Sequence, residues 1–316
     1  MTETVGVDVG GTKVSVATLR DGTLSEPYIR PTSTSSAEEL VDEIVTAIEH
    51  VRTPATEAVG LGVPSVVDFA SGCLRTSVNV PFEDLPLRDL LHERVGLPVF
   101  VDNDATVAAL AEASEGARIV VQNLVMFTVG TGVGGGLVLG GRVYRGATGA
   151  AGEVGHTLIG LGLEDGAPAP TGFPQPGSLE AFAAGTRLDQ LAIAAAERHP
   201  DSALAARAAA GEKISGRDAV ECARAGDPPA LEAITELGEC LGIGIANAIN
   251  LLDPDVVAIG GGVSIAGELL LEPARRSALG YVLPGVGTGT EIRLARRGPE
   301  AGVLGAALLA VTEGGL

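Results

Sequence analysis

Apolar positions along the chain fall into a few repeating patterns. From Val5 to Val9 they alternate with small and polar residues, meet Gly10-Gly11, and alternate again at Val14 and Val16. A period of two on both sides of a glycine pair predicts a β-hairpin, not a strand that runs into a helix. Over residues 38–50, Leu40, Ile44, Val45 and Ile48 share one face at helical spacing, which predicts an amphipathic helix. Residues 59–63 and 98–101 are short apolar runs suited to buried strands, and the Ala-rich stretch 105–113 predicts a helix. A second apolar strand is expected over 124–129, followed by GTGVGGG and then LVLGGRV, another glycine turn between strands. Helices are expected over 178–198 and 229–252, and a buried strand over 256–259 that runs into Gly260-Gly261-Gly262 with a helix soon after. The tail, 302–311, reads as an apolar helix.

Strand, glycine turn and second strand therefore occur twice, near residue 5 and near residue 124. Two similar α/β halves with a cleft between them account for the echo, with the boundary expected near residues 114–120. The stretch 160–177 carries four prolines and several glycines, the mark of a functional lid or a tolerated insertion.

Composition sharpens this picture. A chain of 316 residues is natural for two domains, and 46% hydrophobic residues suffice for large cores. With 3% aromatics and no Trp, those cores must rest on Val, Leu, Ile and Ala. The 45 glycines are clustered, which suggests backbone approaching ligands. A net charge of −19 disfavours nucleic acid and anionic membranes as partners, so any anionic ligand must be held by backbone amides or a metal. The stretch 124–139 is interrupted by glycines and falls short of a membrane span, and the first residues do not have the pattern of a signal peptide. Cys73, Cys222 and Cys240 form no CxxC pair, so neither a disulfide framework nor a cysteine zinc site is supported, and a cytoplasmic protein is expected.

Several groups of residues can carry chemistry. In Asp8-Val9-Gly10-Gly11-Thr12-Lys13 a tight glycine turn lets N–H groups approach phosphate oxygens, Thr12 adds a hydroxyl, and Asp8 can hold Mg²⁺ through water. The same residues also suit an ordinary hairpin turn with Lys13 in solvent, and the P-loop spacing is absent. Gly130, Gly132 and Gly135 match GxGxxG, but the following residues read as a strand, which argues against dinucleotide binding and for a second phosphate clamp. Two such turns can grip a triphosphate. Asp102-Asn103-Asp104 lies between a strand and a helix, where Asp104 is either a helix cap or a carboxylate placed to take a proton from a hydroxyl, and Asn103 can bond a sugar hydroxyl. Glu153 and His156, three apart, could face one polyhydroxylated ligand if their turn is helical, although a lone histidine is often structural. His50, His92 and His199 read as surface residues. Gly260-Gly261-Gly262 suits either close approach to a nucleoside or a simple turn.

Together, DVGGTK at 8–13, VDNDA at 101–105, TVGTGVGGG at 128–136, GEVGH at 152–156 and DPDVVAIGGG at 253–262 resemble the ROK family (repressors, open reading frames, kinases), and within it the bacterial glucokinases. The resemblance implies the two-domain, actin-like (ribonuclease-H-like) α/β ATPase fold with the active site in the interdomain cleft. It implies an N-terminal domain of residues 1–116, joined by the final helix at about 301–316, and a larger domain of 117–300. It implies ATP-dependent phosphorylation of a hexose, a sugar and a nucleotide as ligands, and a homodimer. By position, Asp8, Gly10, Gly11, Thr12 and Lys13 match the first phosphate motif, Gly130, Thr131 and Gly132 the second, and Gly261 and Gly262 the adenosine motif. Asn103 matches a sugar ligand, Asp104 the catalytic base, and Glu153, His156 and Glu180 the remaining sugar ligands. One departure stands out. Zinc-containing members place three cysteines where this chain has Thr171, Phe173 and Ser178, so no zinc site is expected.

Other readings compete with this one. A sugar-sensing repressor of the same family needs a DNA-binding domain before the first phosphate motif, which here begins at Asp8, and it fits poorly with the acidic balance. A sugar-binding pseudo-kinase is expected to have lost Asp104 or a phosphate glycine, and all are present. A polyphosphate-dependent kinase, or one for mannose, fructose or an N-acetylhexosamine, stays open at this point.

Overall fold

A computed structural model describes residues 2–77, 80–160 and 172–316. The chain begins with strands β1 (Glu3–Val9), β2 (Lys13–Arg20), β3 (Thr23–Leu24) and β4 (Tyr28–Pro31), then helix α1 (Ala37–Val51). Strands β5 (Thr56–Val63), β6 (Ser65–Asp68), β7 (Cys73–Ser77) and β8 (Glu83–Leu85) lead to α2 (Leu87–Val95), β9 (Val99–Asn103) and α3 (Asp104–Glu112). After the short β10 (Ser114–Glu115) and β11 (Arg118–Ile119) come β12 (Leu124–Val129), β13 (Val133–Leu139) and β14 (Arg142–Val143). The helices α4 (Leu179–Ala183), α5 (Gly185–Arg198), α6 (Ala203–Ala209), α7 (Gly216–Arg224) and α8 (Pro228–Leu252) follow. The chain closes with β15 (Val256–Gly260), α9 (Glu268–Tyr281), β16 (Glu291–Leu294) and α10 (Ala301–Gly314).

The chain divides into two compact units: Met1–Met126 with Gly136–Gly152 and Arg296–Leu316, and Phe127–Gly135 with Glu153–Ala295. The expected hairpin is present. β1 and β2 pair antiparallel from Glu3↔Arg20 to Val9↔Val14, while β5 runs parallel to β1, and β9 parallel to β5. The sheet order is β3-β2-β1-β5-β9, with β4 on β2. The second sheet has the order β14-β13-β12-β15-β16. Counted in chain order within each sheet, with β4 left aside, the strands stand third, second, first, fourth and fifth across both sheets, which is the structural form of the repeat seen in the sequence.

In the first unit the strand period of two separates the sheet's faces. Val5, Val7 and Val9 of β1 and Val59, Leu61 and Val63 of β5 join a buried cluster with Leu40, Ile44 and Ile48 of α1 and Leu91 of α2. Gly6 of β1 and Gly60 and Gly62 of β5 stand at alternate positions on the opposite face. A Cβ at Gly60 would stand 1.8 Å from the Ala306 carbonyl oxygen of α10, and one at Gly62 would stand 2.5 Å from Val107 Cγ2 of α3. Without side chains there, both helices lie on the strand backbone, where Val107, Leu110, Ala307, Leu308 and Leu309 form a second cluster. This close packing sets the height of α3, and so of its first residue, Asp104.

In the second unit, α8 starts at Pro228, with Asp227 accepting the Ala230 N–H, and packs along α9. The helix expected over 178–198 is in fact two. Ala184 leaves helical geometry at ψ 161°, and the Gly185 N–H donates to the Gly130 carbonyl at 2.7 Å instead of continuing the helical ladder. After β15 comes a short 3₁₀ turn, Gly262–Ala266, before α9 begins. No helix among the described residues is long and apolar enough to cross a membrane.

Candidate active site

Asp8, Gly10, Gly11, Thr12, Lys13, Asn103 and Asp104 fall in the first unit, and Gly130, Thr131, Gly132, Glu153, His156, Glu180, Gly261 and Gly262 in the second. In the first glycine turn the Gly10 N–H donates to the Lys13 carbonyl at 2.9 Å. Thr32, which the sequence does not single out, braces this turn twice. Its hydroxyl donates to the Gly10 carbonyl at 2.6 Å, and its N–H donates to the Thr12 carbonyl at 3.1 Å. Gly11, Thr12 and Lys13 are exposed, and Asp8, half-buried between Val7 and Val9 of β1, packs against Gly302. Asp8 keeps part of its surface open but is densely ringed by protein. This burial raises its carboxyl to about 6, with Lys13 opposing the rise.

At the end of β9 the capping role belongs to Asn103, not Asp104. Asn103 Oδ1 accepts the N–H groups of Ala105 at 2.9 Å and Thr106 at 3.2 Å, and Nδ2 donates to the Ser65 carbonyl at 3.3 Å. Asp104 is the first residue of α3, and its Oδ1 also accepts the Ala105 N–H, at 2.8 Å. A residue of type Asp or Asn is a good cap, and the extended backbone of Asn103 (φ −66°, ψ 146°) gives it the role. Its amide nitrogen carries a second N–H for a hydroxyl partner. Asp102, just before, is 1% exposed and receives Arg145 Nε at 2.6 Å. Burial pushes the Asp102 carboxyl up while Arg145 holds it back.

In the second unit, the turn that carries Glu153 and His156 is a 3₁₀ helix, Val154–His156, and brings the two side chains together at 3.8 Å between Nε2 and Oε2. Phe173 sets its ring edge-on to His156 at 5.1 Å between centroids. Thr171, together with Pro168 and Pro170, lies outside the described residues. Ser178 is fully buried and caps α4, accepting the Ala181 N–H at 3.3 Å. It thereby presents Glu180, whose Oε2 accepts the Val133 N–H at 2.8 Å. Glu180 is thus bonded to the second glycine turn, a link the sequence does not disclose.

That turn opens on a pocket of ≈ 580 Å³. Gly130, Thr131 and Gly262 line it, and so do residues that no motif marks: Thr186 and Asp189 of α5, Arg217 and Val220 of α7, and Ile265. Asp189 Oδ1 accepts the Gly216 N–H at 2.5 Å, joining α5 to the first turn of α7, and the Thr186 hydroxyl donates to the Thr131 carbonyl at 3.3 Å. Volume, apolar walls and a few placed polar groups suit a drug-sized organic ligand such as a nucleoside. Only the Gly-Thr pair at 185–186, after the break at Ala184, hints at this wall in the sequence.

The ROK family model matches residues 4–313. A glucokinase of Halalkalibacterium halodurans is 38% identical over 310 residues, which is 95% of this chain and 92% of the relative. The crystal structure of a ROK family glucokinase from Streptomyces griseus, in complex with glucose and AMPPNP, superposes with a TM-score of 0.81 at 34% identity, covering 98% of this chain and 99% of that one. A ROK hexokinase structure from Thermus thermophilus gives 0.77 at 37% identity, covering 99% of each chain. The mixed α/β, two-domain fold is that of these sugar kinases, the actin-like ATPase fold. With every motif in order and the match running from end to end, the chain belongs to the ROK family.

Proposed function

We propose that this protein is an ATP-dependent glucokinase, which converts ATP and glucose to ADP and glucose 6-phosphate. The observation that carries the reading is the pocket in the second unit. Two glycine turns far apart in sequence, at Gly130-Thr131 and Gly262, meet in one cavity large enough for a nucleoside, with the first of them bonded to Glu180. Relatives that match this chain over nearly its whole length at 34–38% identity include two glucokinases and a ROK hexokinase, which supports a hexose, and glucose first, as the acceptor.

On this reading Asp104 takes the proton from the attacking hydroxyl, while Asn103, Glu153, His156 and Glu180 orient the sugar. The glycine turns at Gly10-Gly11 and at Gly130–Gly132 hold the phosphates, since phosphoryl transfer rests mainly on positioning and charge stabilisation. Gly261 and Gly262 lie under the nucleoside. Asp8 fits a hydrated Mg²⁺, because it is a hard oxygen donor buried at the first glycine turn, with Lys13 opposing its charge. Bound there, the ion would neutralise charge on the phosphates. Zinc is not expected, since Phe173 and Ser178 offer no thiolate where relatives carry one. The partners are small molecules, with a second copy of the chain as the expected protein partner. Three free cysteines suit a reducing cytoplasm.

The test is a coupled ADP-release assay across glucose, mannose, fructose and N-acetylhexosamines, repeated with polyphosphate as donor. Turnover with glucose and ATP well above all other pairs is the expected result. A preference for polyphosphate, or for another hexose, would replace that part of the proposal. Metal analysis of the purified protein should find far less than one zinc per chain.

A further inference from the structure

Arg145 belongs to none of the motifs, yet three parts of the first unit converge on its guanidinium. Nε donates to Asp102 Oδ2 at 2.6 Å, Nη2 donates to Glu313 Oε1 of α10 at 2.8 Å, and the carbon centre lies 3.6 Å from the centroid of the Phe69 ring, which follows β6. The side chain is 17% exposed and the Asp102 side chain 1%. A carboxylate so deeply buried is retained only when paired and hydrogen-bonded, and the planar fork of an arginine satisfies it in a fixed direction.

The other oxygen of Asp102 bonds within the turn that leads from β9 to α3. Oδ1 accepts the backbone N–H of Asn103 at 2.9 Å. One carboxylate therefore joins Arg145 on one side to the amide of the residue that caps α3 on the other. Asn103 fixes the first turn of α3 through the Ala105 and Thr106 N–H groups, and Asp104 is the first residue of that turn. Any rotation of the Asp102 carboxylate is passed to the Asn103 peptide and from there to the direction in which Asp104 leaves the strand.

We propose that Arg145 is a positioning residue for the Asn103–Asp104 pair, acting through Asp102 to set the turn between β9 and α3. Glu313 and the Phe69 ring fix the guanidinium from the other sides, so the C-terminal helix takes part in holding the turn. The proposal rests on the reading of Asp104 as the base of a sugar kinase. A buried ion pair with a purely structural role is the alternative. It predicts lower stability without a selective loss in the chemical step.

The experiment uses the full chain as wild type, R145M, D102N and the double variant. Glucose phosphorylation is measured together with hydrogen exchange of the segment 99–106 in the ligand-free protein. R145M should lose about tenfold or more in kcat, the scale of a sub-ångström to 1 Å misplacement of reacting groups, while the KM for ATP stays within about twofold. Exchange over 99–106 should accelerate in R145M and in D102N, because the Asn103 N–H loses its fixed acceptor. The double variant should be no slower than the slower single variant. If R145M does not fold, D102N, nearly identical in shape to wild type, carries the same expectations. A folded R145M or D102N with wild-type kcat overturns the proposal, as do unchanged exchange over 99–106 or losses that multiply in the double variant. A wild type inactive on every hexose would instead count against the kinase reading, and the exchange measurement would still decide whether Arg145 holds the turn.

Discussion

Replacing Gly132 by alanine tests whether Glu180 and the second glycine turn act as one device. A Cβ built at Gly132 lies 2.4 Å from Glu180 Oε2 and 3.1 Å from its Cδ. The obstacle is the end of a flexible side chain and not backbone, so the turn should keep its shape while the carboxylate swings away. What is lost is the 2.8 Å bond from the Val133 N–H to Oε2. A hydrogen bond to a charged acceptor contributes about 1.5–3 kcal/mol. Expressed fully in the substrate-bound turn, that is a loss of about 10- to 150-fold in kcat/KM. Steady-state kinetics with glucose and with ATP varied separately measure it, beside a thermal melt to show that G132A is folded. E180A removes the same bond from the other partner. The double variant G132A/E180A should therefore be no worse than E180A, since residues that share one interaction are not additive. Kinetics of G132A within about twofold of wild type, or losses that multiply in the double variant, would refute the argument.

Three further outcomes are expected. Asp104→Asn should keep the fold and much of the sugar affinity while kcat falls by about 10²-fold or more, the scale of general-base loss; near-normal turnover would leave Asp104 a part of the helix start and nothing else. Phe173→Ala should raise the KM for glucose by about 2- to 10-fold, the worth of one aromatic contact, with kcat and melting temperature kept, because Phe173 is 74% exposed and holds only the edge of His156. Glu3 is 2% exposed, and burial alone would raise its carboxyl, but the hydroxyls of Thr53 at 2.6 Å and Thr56 at 2.7 Å, together with Arg20, outweigh burial and lower it. A lowered carboxyl stabilises the fold above its unfolded value of about 4.3, and that contribution is lost as pH falls through the folded value below it. Glu3→Gln should thus melt about 2–4 °C lower than wild type at neutral pH, and the gap should narrow as pH falls below about 4.3; a gap that stays constant with pH would mean that the charge of Glu3 contributes nothing.

Features that depend on neighbours along the chain are legible before the chain folds. The period of two around Gly10-Gly11 is enough for the β1–β2 hairpin, because alternation and a glycine pair are local properties. The face of Leu40, Ile44 and Ile48 is enough for α1, and the apolar runs at 124–129 and 256–259 for β12 and β15. Candidate chemistry was legible in the same way, since DVGGTK, DND, GTG and GEVGH are short and contiguous. Other features needed partners that only the fold supplies. Periodicity runs through Ala184 without a break, and the helix ends there because the Gly185 N–H meets a carbonyl 55 residues earlier, at Gly130. Asn103 rather than Asp104 became the cap because the backbone of β9 delivers it in extended geometry. Glu180 reached the second glycine turn, and Arg145 reached Asp102, across separations for which no spacing rule exists. The pocket walls at Asp189, Arg217 and Ile265 carry no motif, because a wall is defined by the surface that several elements form together and not by any one of them. Local pattern sets which elements form and where backbone can meet a ligand. The pairing of distant polar groups, which aims the side chains, is settled only when burial forces each of them to find a partner.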